Sequence, residues 1–154
     1  MNAFELLKKD HQKVSDIFEE LEPTTERALK TREELFAKLK HELDVHAKIE
    51  EEIFYPAIKD AKATHDITLE AIEEHNVVKQ LLAELEEMSK GDERWSAKLT
   101  VLKENVEHHV EEEEGEMFKD AKKVLSSQQI EELGARMEAV KQAQAKTFSA
   151  TSEK

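Results

Sequence analysis

Positions 39, 43, 46, 50, 53 and 57 recur at alternating steps of three and four, the repeat of a helix with one buried face. Leu39, Leu43, Ile53 and Ala57 suit such a face, but the stripe also contains His46 and Glu50. A second segment repeats the pattern at 99, 102, 106, 109, 113 and 117, where His109 and Glu113 interrupt Leu99, Leu102, Val106 and Met117. No feature constrains the fold more. An isolated ionised carboxylate in a core costs several kcal/mol unless it is paired or binds a cation. These helices can therefore pack only where complementary groups meet them.

Two further stripes carry one polar residue each. Positions 4, 7, 11, 14, 18 and 21 place His11 between Leu7 and Val14, and positions 71, 75, 78, 82 and 85 place His75 between Ala71 and Val78. The first helix begins behind Asn2, a suitable N-cap with Glu5 three residues on, and stops before Pro23. The second has a capping box at Thr31 and Glu34, with a start as early as Thr24, and Pro56 kinks or ends it. The third runs from about Asp66 to a stop near Gly91, and the fourth starts near Asp92, with Trp95 packed at its beginning. A fifth, shorter helix spans about Ser127 to Ala145, with Ile130, Leu133, Met137 and Val140 on its stripe. Short connections between long amphipathic helices imply an all-α, up-down-up-down four-helix bundle. The bundle takes residues 1–124, an accessory helix 125–146 and a flexible tail 147–154.

Composition narrows the functions. A chain of 154 residues with only 3 Gly and 2 Pro suits one helical domain. A net charge of −13 argues against nucleic acid and anionic membrane surfaces as partners. Without cysteine there are no disulfides, thiolate metal sites, iron–sulfur clusters or catalytic thiols. The N-terminus lacks the apolar run of a signal peptide, and no stretch is long enough for a membrane span, so a cytoplasmic location is expected. The fifth helix either covers the bundle or pairs with a second copy, which implies a monomer or a weak homodimer.

The two halves repeat. A shift of 64 residues lays His11 on His75. A shift of 63 lays Leu39 on Leu102, His46 on His109, Glu50 on Glu113 and Tyr55 on Phe118. His75 and His109 lie at similar distances on either side of the Gly91 turn, roughly 24 Å each at the helical rise, so they meet at one level. Four histidines and two glutamates in this repeat suit two metal ions, with the glutamates bridging and two histidines serving each ion. Imidazole and carboxylate donors together select iron or manganese, with zinc behind them. Such a centre keeps open positions for small molecules such as dioxygen, peroxide or nitric oxide.

The pattern of His11, HAKIE at His46–Glu50, His75 and HVEEE at His109–Glu113, with IFYP after the first motif, resembles the hemerythrin HHE cation-binding family. The resemblance covers roughly residues 1–122. It implies an up-down four-helix bundle around an oxo- or hydroxo-bridged non-haem di-iron centre. It further implies His11, His46, His75 and His109 as terminal ligands, with Glu50 and Glu113 bridging. The oxygen carriers of the family have a fifth histidine in an HxxxH motif, where this chain has Lys79. The chain thus resembles the four-His, two-Glu branch, for which peroxide, nitric oxide and iron-handling roles have been proposed.

The expected function is therefore reaction of a bundle-core di-iron centre with peroxide or nitric oxide, as a catalase-like or nitric-oxide-reducing activity. The alternatives are a dioxygen or nitric oxide binder or sensor, and an iron reservoir without turnover. Beside the six ligands, His41, His108, Glu111, Glu112 and Glu114 are expected to be solvated, and His65 to serve a turn. Glu114 would replace Glu113 only if the helix were overwound there. Tyr55 packs in the core or reaches the metal site, and Lys79 is solvated or places a charge near the open positions.

Overall fold

The computed structural model describes the backbone of residues 1–152 and the side chains of residues 1–148. Helix α1 (Ala3–Leu21) is capped by Asn2, whose Oδ1 accepts the Glu5 N–H at 2.9 Å. Helix α2 (Leu29–Ile49) runs into a π turn, Glu50–Phe54, and a last α-helical turn, α3 (Tyr55–Ile58). After a loop come α4 (His65–Glu87) and, past a turn at Gly91, α5 (Glu93–Glu112), capped by Asp92. A second π turn, Glu113–Met117, leads to α6 (Phe118–Val124), and α7 (Ser127–Ser152) packs on α1 and α2. The result is an up-down-up-down four-helix bundle with an additional helix, and the described residues contain no strand.

Two boundaries differ from expectation. Helix α2 starts at Leu29 behind Ala28 without a side-chain cap, so Thr31 and Glu34 form no capping box. Arg32 instead takes over that end of the bundle. It donates to Thr24 O at 2.7 Å and Ser96 Oγ at 3.1 Å, and lies 4.8 Å over the Trp95 ring. The fifth helix is long rather than short, continuing through 147–152, while residues 153–154 of the anticipated tail lie outside the described residues.

Pro56 neither ends its helix nor stands in a simple kink. It lacks an N–H and its ring crowds the carbonyl four residues back, so the ladder is re-spaced: Tyr55 N–H bonds Glu50 O, five residues earlier. The π turn takes up one extra residue and slips the buried face. Ala57, expected on the stripe, is exposed, and Tyr55 and Ile58 are buried in its stead. The second π turn sits at the corresponding place in the other half, where Phe118 N–H bonds Glu113 O. There Gly115, whose position would admit a Cβ without contact, stands in the turn, and no proline is present.

The core is divided. One apolar cluster holds Leu7, Phe54, Phe118 and Met137 with their neighbours, and another holds Phe18, Leu39, Leu82 and Trp95. Between them lies a polar layer containing all six residues singled out above.

Candidate metal centre

The four bundle helices supply one histidine each: His11 from α1, His46 from α2, His75 from α4 and His109 from α5. All are buried, as are Glu50 and Glu113, the first residues of the two π turns. Donor atoms of His11, His46, Glu50 and Glu113 lie within 4.8 Å of one another, and so do those of Glu50, His75 and His109. Glu113 spans the two groups. Its Oε1 lies 3.1 Å from His11 Nε2, and its Oε2 lies 3.2 Å from His109 Nε2. Glu50 Oε1 stands 3.0 Å from both His46 Nε2 and His75 Nε2. Two carboxylates thus stand between two pairs of imidazoles.

The other nitrogen of every histidine faces a carboxylate. His11 Nδ1 lies 2.6 Å from Glu114, His46 Nδ1 3.1 Å from Asp10, His75 Nδ1 2.9 Å from Glu51 and His109 Nδ1 2.8 Å from Glu74. A carboxylate accepting the Nδ1–H fixes the tautomer and aims the Nε2 lone pair at the centre. The pairing obeys the internal repeat. Asp10 and Glu74 each precede a lone histidine and serve the motif histidine of the same half. Glu51 and Glu114 each follow a motif glutamate and serve the lone histidine of the other half.

Sequence reasoning did not find these four acids, and it placed Glu114 among the solvated neighbours. Glu114 is instead half-buried against His11, because the π turn presents it beside Glu113. The helix is underwound there, not overwound. A signal was available in the repeat: an acid sits directly before each lone histidine and directly after each motif glutamate.

For His46 and Glu50, burial disfavours the charged form and the pairing overrides it. Burial would lower the His46 pKa, yet Glu50, Asp10 and Glu113 raise it to about 10. Glu50 is held well below the usual carboxylate range, because His46 and hydrogen bonds from its neighbours outweigh the burial that would raise it. Burial and two adjacent carboxylates push the Tyr55 hydroxyl well above its ordinary value, so it stays protonated. It donates to Glu113 Oε2 at 2.9 Å and lies 3.2 Å from His75 Nε2.

Two buried atoms at the centre remain without hydrogen bonds, Glu50 Oε2 and His46 Nε2. The His46 nitrogen is close to Glu50 Oε1 but out of line with it. Unsatisfied buried donors and acceptors are rare and call for a partner. An imidazole and carboxylate set with this spacing fits transition ions bound at about 2.0–2.2 Å. A cavity of about 40 Å³ adjoins the four histidines and is walled by residues including Val14 and Leu82.

The remaining candidates fall elsewhere. Lys79 pairs with Glu51 at 2.9 Å, behind His75. His108 is exposed and pairs with Glu112 at 3.2 Å. His65 lies 2.8 Å from Lys59 O in the turn before α4. His41 is half-buried rather than solvated, its ring stacked 4.0 Å from Phe148 of α7. Trp95 is buried at the start of α5, as expected. No helix among the described residues is long and apolar enough to cross a membrane.

Comparison with known proteins identifies the family. The chain is 31% identical over 143 residues to uncharacterized proteins of Mycobacterium bovis and Mycobacterium tuberculosis, covering 90% of this chain and 84% of theirs. It is 29% identical over 141 residues to a Nostoc protein named DNA nickase, covering 92% of this chain but only 39% of that one. Its fold superposes with a TM-score of 0.83 on the crystal structure of a hemerythrin HHE cation binding domain-containing protein from Mycobacterium kansasii. That match is 27% identical and covers 97% of this chain and 91% of the other. With residues 2–121 matching the family model itself, the chain belongs to the hemerythrin HHE cation-binding family.

Proposed function

We propose that the polar layer holds two iron ions, one served by His11 and His46 and the other by His75 and His109, with Glu50 and Glu113 bridging. The observation that carries this reading is Glu113, whose two oxygens address different histidine groups. Six nitrogen and oxygen donors without a thiolate favour iron over zinc, which prefers a closed four-ligand site.

Bound iron would supply the redox equivalents for a small oxidant, with peroxide or nitric oxide as the substrate. The chain's own contribution is geometry and a small, mostly apolar pocket. The cavity of about 40 Å³ has room for a molecule the size of two or three waters. Tyr55 offers one hydroxyl, already committed to Glu113, and Lys79 occupies the place where an oxygen carrier has its fifth histidine. Peroxide disproportionation needs no outside reductant, since two peroxides give one dioxygen and two waters. The nickase name of the Nostoc relative is not extended to this chain, whose charge of −13 repels phosphate.

Metal analysis of protein from iron-supplemented cells tests the site: two irons per chain are expected, and less than one iron with no other metal refutes it. Glu113→Ala should lose both ions. Sustained dioxygen evolution from peroxide, or turnover of nitric oxide to nitrous oxide and water with an added reductant supplying two electrons per cycle, supports the reaction. A single stoichiometric event followed by bleaching assigns the centre to binding or iron storage.

A further inference from the structure

One side chain connects the fifth helix to the centre. Lys141 of α7 forms an ion pair with Asp10, and Asp10 in turn lies 3.1 Å from His46 Nδ1. Of the four carboxylates that orient histidines, Asp10 is the most enclosed. Its side chain is 4% exposed, against 21% for Glu74, 27% for Glu51 and 35% for Glu114. Water screens the other three. Glu51 also has a lysine, Lys79, but both members of that pair reach solvent.

A buried carboxylate needs a counter-charge or it is strongly disfavoured. Lys141 brings one to Asp10 from α7, on the side away from the centre. The helix that carries it is firmly seated: Leu133 and Met137 are buried in the core, and Gly134 touches the start of α1. A Cβ at Gly134 would clash with Met1 O and lie 2.8 Å from Ala3 N.

We propose that α7 is a working part of the metal centre: Lys141 is a positioning residue that holds Asp10 against His46, so that metal binding in the His11–His46 half depends on the docked helix. This rests on the two-ion reading above. Coupling between two binding events is reciprocal, so a metal ion in that half must also tighten α7 against the bundle. The two metal positions are thereby made unequal, although the bundle that surrounds them is a repeat.

Cobalt(II) titration of the metal-free full-length protein, followed by its visible bands and by chelator competition, tests this. Wild type should bind two equivalents. Lys141→Met should weaken one equivalent by up to about tenfold, since Lys141 acts through Asp10, whose own loss as the outer partner of His46 would cost about 10- to 100-fold, and leave the other unchanged. Lys141→Arg should restore most of the affinity, and Lys123→Met, in an exposed pair with Asp120 on α6, should be silent. In wild type, hydrogen exchange of α7 amides around Lys141 should slow by a comparable factor when cobalt binds. That measurement decides the matter even if Lys141→Met fails to fold. A wild type that binds no cobalt ends the two-ion reading itself. Two equivalents left unchanged by Lys141→Met, or an α7 whose exchange ignores the metal, overturn this inference and leave that reading standing.

Discussion

Glu114→Ala tests the carboxylate ring most sharply, because three glutamates in one acidic run should behave in three ways. In the substituted protein His11 keeps Glu113 at Nε2 and loses the partner 2.6 Å from Nδ1. The freed ring can rotate, and a second tautomer competes with the one that points its lone pair inward. Loss of such an outer partner typically costs about 10- to 100-fold in metal affinity, or about 1.4–2.8 kcal/mol. The Glu114 side chain is 35% exposed, so water replaces part of its role and the lower end applies. The expected result is about a tenfold loss confined to one of two equivalents. Glu113→Ala should abolish binding at both, since its oxygens serve both groups. Glu112→Ala should be nearly silent, because Glu112 pairs with exposed His108 and reaches the centre only through Glu74. Anaerobic iron(II) titration against a competing chelator measures all three. Equal affinities for the Glu112 and Glu114 variants would refute the orienting role. A Glu114 variant as damaged as the Glu113 variant would make Glu114 a ligand.

Two other outcomes follow from the same contacts. In the metal-free protein His46 has its pKa raised from 6.5 to about 10, so the stability it contributes is complete below about pH 6.5 and is lost as pH rises toward 10. Glu50 is shifted the opposite way, so its contribution is present above its ordinary value of 4.5 and is lost on acidification below it. Thermal unfolding of the metal-free protein should therefore be highest near pH 5–6.5 and decline on the alkaline side; a flat profile would contradict the imidazolium–carboxylate pairing. Gly134→Ala should cost about 1–3 kcal/mol by forcing α7 off the α1 backbone, lowering the melting temperature by several degrees. An unchanged melting temperature would show that α7 is not seated as described.

The bundle and its six inward polar residues were legible because both are written in local patterns. Helical periodicity needs only one segment at a time, and the 63–64-residue repeat identified which of many acids lay on buried faces. His108 beside His109, and Glu112 beside Glu113, could be separated on that basis alone. The π turns could not. Pro56 announces that an α-helix cannot continue unchanged, but whether the chain breaks, bends or re-spaces its ladder depends on what the next turn buries. Here it buries Tyr55 and Ile58. That one-residue slip exposed Ala57 and placed a hydroxyl beside Glu113.

The orienting carboxylates were hidden for a different reason. Asp10, Glu51 and Glu74 lie off the stripes of their own helices, and their histidines belong to other helices. Neither periodicity nor spacing within one segment can pair them. The same holds for α7, whose apolar stripe was evident but whose seat was not. Lys141 and Asp10 are 131 residues apart, and only the packing of α7 along α1 brings them together. The sequence by itself determined the buried faces of the regular helices and the six polar residues on them, since burial there follows from periodicity. The tertiary structure alone decided which of them meet, since a buried charge is stabilised by partners that other helices must deliver.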